Sequence, residues 1–134
     1  FQQTVPYGAH YLSEHICFMG TLSRDQKHVR STLQPYDLMI VLGADVLRMS
    51  VWSEVDPMPE GLPIVQIGLV DWEMGKNYAV EQAVYADLRE TLRVLVPLLQ
   101  QRETHTPYKT FLCLMKKKKY RNWQKGSKKI ETSQ

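Results

Sequence analysis

The chain has 134 residues with 43% hydrophobic and 23% charged content and a net charge of +3, the composition of one ordinary globular domain with a single sizeable core. No apolar run approaches the ~20 residues a membrane-spanning helix requires, and Phe1-Gln2-Gln3 opens no basic-then-apolar leader. The charge is unevenly placed: residues 109–134 carry nine Lys or Arg and one acid, Glu131, leaving eight basic and thirteen acidic residues in 1–108, a balance of −5.

That asymmetry divides the chain into a mildly acidic body, 1–100, and a basic linker or tail, 101–134. Cys17 and Cys113 are two scattered cysteines in a Met-containing chain, which reads as reduced thiols in a cytoplasmic protein. The absence of an initiating methionine reads as a fragment or a processed product.

In chain order, residues 1–12 mix β-formers with Pro6 and Gly8 and read as a strand end and loop. Ser23-Arg24-Asp25-Gln26 has the pattern of an N-cap opening a helix to about Leu33, with Val29 and Leu33 on one apolar stripe. Pro35 stops that helix. Leu38-Met39-Ile40-Val41-Leu42 is a continuous apolar run ending at Gly43, the form of a parallel strand buried on both faces. A turn-rich loop follows, with Asp56-Pro57-Met58-Pro59-Glu60-Gly61 as its densest cluster. Residues 62–69 read as the next strand, and Asp71–Asn77 as one helical turn closed at Gly75 or Asn77. Residues 82–86 form a short strand, and Asp87 caps a long helix with Leu88, Leu92, Leu95, Leu98 and Leu99 at helical spacing. Pro97 is expected to kink or end it. Short apolar strands separated by helices or long crossovers argue an α/β fold with a mostly parallel sheet.

Three stretches together resemble the central domain of thiamine-diphosphate-dependent enzymes of the acetolactate synthase and benzoylformate decarboxylase type. They are Pro35-Tyr36-Asp37-Leu38-Met39-Ile40-Val41-Leu42-Gly43-Ala44, then Val65-Gln66-Ile67-Gly68-Leu69-Val70-Asp71-Trp72-Glu73-Met74-Gly75-Lys76-Asn77, then Ala83-Val84-Tyr85-Ala86-Asp87-Leu88 with its helix. The first matches the family's Asp, apolar run, Gly-Ala strand. The second ends as the family does, in Glu, apolar, Gly-Lys-Asn. The third matches its strand-to-helix step at Ala-Asp. The resemblance covers residues 4–100.

It implies a Rossmann-like, doubly wound, mostly parallel sheet that is N-terminally truncated here, the family's first central strand lying before Phe1 and beside strand 38–42. It also implies that thiamine diphosphate and Mg²⁺ belong to the intact enzyme but are bound by other domains. One of those supplies a glutamate to the aminopyrimidine ring. The other supplies Gly-Asp-Gly followed by paired asparagines, and no Gly-Asp-Gly occurs here. The expected partners are those pyrimidine and diphosphate domains, in an enzyme that is generally a homo-oligomer.

In flavin-containing members the loop after the first matched strand begins Gly-Ala-Arg. Here it reads Gly43-Ala44-Asp45, and Gly68 and Val70 stand where acidic residues are frequent. Gly43, Ala44, Asp45 and Gly68 therefore mark a vestigial crevice, FAD is not expected, and no catalytic or metal-binding residue is assigned. The resemblance thus implies a non-catalytic central domain of a 2-oxo acid decarboxylase or acetolactate-synthase-like enzyme, inactive alone.

Other patterns have plainer readings. His10, His15 and Cys17 lack the spacing of a zinc site. Neither cysteine sits in a Cys-His nucleophile signature. Asp45, Asp71 and Glu73 fall near predicted strand ends, where an acidic site or simple helix capping by Asp71 would both fit. Trp72 is expected to pack under its turn. Trp123 lies among Lys116–Lys119, Tyr120 and Arg121. Interleaved basic and aromatic residues suit nucleic acid or an acidic partner, which makes a stand-alone α/β binding module the alternative function. The acidic body argues against nucleic acid, and an ordinary solvated tail is the simpler reading.

Overall fold

The structure, a computed structural model, describes residues 1–3, 12–50 and 52–102. Helix α1 spans Gln26–Leu33. Strands β1 (Met39–Leu42), β2 (Ile64–Gly68) and β3 (Gln82–Tyr85) follow, then helix α2, Leu88–Arg102. A single 3₁₀ turn, Asp71–Glu73, lies between β2 and β3. The strands form one parallel sheet in the order β1-β2-β3. The expected α/β architecture is present, with the two strand-to-strand crossovers built from irregular chain rather than full helices.

α1 begins two residues later than Ser23 implied. Its N-cap is Asp25, which accepts from the His28 amide at 2.7 Å, while Ser23 Oγ accepts the Asp25 amide at 3.0 Å. The longer reach of the Asp side chain satisfies the helix's orphan donor, and Ser23 instead shapes the entry. Val29 (0% exposed) and Leu33 carry the buried stripe. With Leu22, Val41, Val46, Leu47, Leu62 and Ile64 they form the core, on the sheet face that α1 covers.

β1 is not buried on both faces. The register pairs Met39 with Ile64 and Val41 with Gln66, which places Val41 toward the core and Ile40 and Leu42 on the opposite face. Ile40 and Leu42 remain 51% and 44% exposed. The continuous apolar run is therefore half-covered, because α1 shields one face and β1 is an edge strand among the described residues.

The loop between β1 and β2 is anchored from α1. Arg30 Nη1 donates to the carbonyls of Asp56 and Met58, both at 3.0 Å, and Asp56 Oδ1 accepts the Met58 amide. Leu47 adopts a left-handed φ of 47°, which costs a non-glycine residue roughly 1–2 kcal/mol. Its side chain is only 4% exposed, and burying a leucine returns about 1.5–3 kcal/mol. The core contact thus offsets the backbone cost.

Asp87 caps α2 as expected, its Oδ1 accepting the Glu90 amide at 3.0 Å. Pro97 neither ends the helix nor marks its boundary: α2 runs through it to Arg102, two residues into the segment read as a linker. Proline removes one ladder donor, but Val96, Leu98 and Leu99 around it are exposed, so water can serve the freed carbonyl. None of the α2 side chains is fully buried. No helix among the described residues is long and apolar enough to cross a membrane.

Candidate functional site

In a parallel sheet the ligand side is the carboxyl end of the strands, where the loops after β1 and β2 meet. A glycine stands at the end of each strand, and at the first of them the backbone requires it. Gly43, directly after β1, has φ +63°, and a Cβ there would stand 2.6 Å from Leu88 Cδ1 at the start of α2. Gly68, the last residue of β2, faces it: a Cβ on Gly68 would lie 3.7 Å from Gly43 Cα and 3.8 Å from Met74 Cε. The Gly43 amide donates to the Ile67 carbonyl at 2.8 Å, and the Ala86 amide to the Gly68 carbonyl at 3.0 Å. Gly43 and Gly68 therefore lie beside each other at the carboxyl ends of β1 and β2.

The residue that organises this end is one the sequence reading did not single out. Gln66 is 3% exposed, the one polar side chain in the buried interior among the described residues. Its Nε2 donates to the Ala44 carbonyl at 3.0 Å, and its Oε1 accepts the Gly75 amide at 3.0 Å. A single amide therefore ties the loop after β1 to the turn after β2. The available signal was one amide side chain inside Ile64-Val65-Gln66-Ile67, since a buried polar group must find partners.

Asp45 is not an unpaired charge facing a ligand. It forms an ion pair with Arg48, three residues on. Arg48 thus compensates the carboxylate locally. Asp71 and Glu73 do not join Asp45 in a shared acidic site. Asp71 Oδ1 accepts the Trp72 amide at 2.8 Å, and Glu73 pairs with Lys76 at 3.0 Å. Asp71 is the first residue of its 3₁₀ turn and not its cap, which is Val70. Gly75, at φ +67°, closes the turn as expected.

Trp72 is 71% exposed and does not pack under its turn. A turn of three residues covers too little area to bury an indole on this open side. Trp52 is likewise 80% exposed. His15 Nδ1 accepts the Cys17 amide at 3.2 Å, a local loop contact. Among the described residues no group of three or more His, Cys, Asp or Glu is placed to hold a metal ion. His10, Cys113, Trp123 and the basic tail lie outside the described residues.

Two clefts lie elsewhere. One of about 250 Å³ sits between α1 and the N-terminal segment, lined by Phe1, Thr21, His28 and Thr32 among others. The other, about 450 Å³, lies at the amino ends of the strands, lined by Arg30, Asp56, Met58, Leu62, Ile64 and Tyr78. Burial, and secondarily the charge of Asp56, push the Tyr78 phenol above its ordinary pKa of 10.0. A raised phenol pKa means the folded state holds its proton more tightly than the unfolded state. Its contribution is complete below about pH 10 and is lost as pH rises toward the folded value. Tyr78→Phe should therefore flatten the alkaline decline in stability. Thermal melts of both proteins between pH 9 and 11 check this, and parallel declines would contradict it.

The carboxyl end positions backbone, and two of its glycine amides are already engaged. The Gly43 and Gly75 amides, which a phosphate cradle would need, are both spent on internal partners. Leu88 occupies the space over Gly43. Two of the donors that a diphosphate cradle would draw on are thus occupied.

Residues 3–95 match the family model described as the thiamine pyrophosphate enzyme, central domain. No curated protein and no solved structure matches the chain.

Proposed function

The chain belongs to the thiamine pyrophosphate enzyme central-domain family, and from that membership we propose that it is a non-catalytic packing domain of a thiamine-diphosphate-dependent 2-oxo acid decarboxylase or acetolactate-synthase-like enzyme. The observation that carries the non-catalytic reading is the closed carboxyl end. Gln66 stitches the two strand-end loops together, the Gly43 and Gly75 amides are engaged, and Leu88 lies against the Cβ side of Gly43. A crevice of this kind holds loops in place; it does not cradle a diphosphate. Gly43, Ala44, Asp45 and Gly68 are then the remains of a cofactor crevice, and FAD does not bind there.

In this reading thiamine diphosphate and Mg²⁺ sit on the enzyme's other domains, which are this domain's partners, within a homo-oligomer in the cytoplasm. The half-exposed apolar side chains of β1 and α2 support the view that further protein packs against this body. The purified chain, supplied with thiamine diphosphate, Mg²⁺ and a panel of 2-oxo acids, should release no carbon dioxide above the buffer rate, and its preparation should be colourless. Turnover by the chain alone, or stoichiometric flavin retained through gel filtration, would overturn the reading.

A further inference from the structure

We draw no further inference here: the strongest candidate, the outer edge of β1 with half-exposed Ile40 and Leu42 on its open face, carries nothing because nothing in the structure shows what covers it.

Discussion

Gln66→Leu is expected to lower the thermal midpoint by about 10 °C or more, since each kcal/mol lost shifts a domain of this size by ~4–8 °C. Leucine matches glutamine closely in volume, so little packing is lost. What disappears is the pair of hydrogen bonds to the Ala44 carbonyl and from the Gly75 amide. A buried group left without a partner costs about 1–3 kcal/mol. Ala44 is itself exposed, so water can recover part of that loss, and a total of about 2–4 kcal/mol is the reasonable sum. The loss should be local as well as global. Hydrogen exchange at the Gly75 amide should accelerate more than at amides in α1, because only the former loses its acceptor. Gln66→Glu keeps an acceptor for Gly75 but turns a carboxylate toward the Ala44 carbonyl, so it should not rescue. A Gln66→Leu protein that melts with the parent would mean that the amide does not hold these loops.

Gly43→Val should destabilise by a similar amount for a different reason. At φ +63° any side chain pays the left-handed penalty, about 1–2 kcal/mol. Valine also brings its Cβ to 2.6 Å from where Leu88 Cδ1 now sits, and because that atom is the end of a half-buried side chain, swinging it away adds about 0.5–1.5 kcal/mol. The two causes separate experimentally. Gly61 also has a positive φ, +72°, but nothing lies within 4 Å of its Cβ position. Gly61→Ala therefore pays only the backbone penalty, whereas Gly43→Ala pays both. Shortening Leu88 to Ala in the Gly43→Ala background should recover part of the difference, measured by chemical denaturation. Equal losses at Gly43 and Gly61, with no recovery on trimming Leu88, would show that α2 does not press on this strand end.

Much of the fold was legible because its signals are local. Val29 and Leu33, four apart and followed by Pro35, specify a short helix with one buried stripe. Asp87 three residues before Glu90 specifies the start of α2. The apolar run ending at Gly43 specifies a parallel strand, and the family pattern specified which one. The misreadings share a physical origin, since they depend on what lies across space. The run Leu38–Leu42 is apolar on both faces, but whether both are covered depends on elements that sequence spacing alone does not position. Pro97 breaks a buried helix, yet it is tolerated where Val96, Leu98 and Leu99 face solvent. Trp72 carried no local cue to its exposure.

At the candidate site Gly43 has a physical reason to be glycine, its left-handed φ, whereas Gly68 has ordinary space around its Cβ position. Gln66 was less legible, since an amide in a strand points equally to a partner inside or to water outside. The charge at Asp45 was read from type alone, and Arg48 three residues later was the cue to its compensation. Such i, i+3 pairs are visible in sequence only when the intervening backbone is known to curl.

Whether this body holds thiamine diphosphate itself separates a packing domain from a cofactor-bearing one. Isothermal titration of the purified chain with thiamine diphosphate and Mg²⁺, on a sample shown by a cooperative melt to be folded, is the direct measurement. With the Gly43 and Gly75 amides engaged and Leu88 over Gly43, the titration should give only heats of dilution. Saturable one-to-one binding, abolished when Mg²⁺ is chelated, would contradict it and make this domain a bearer of the cofactor.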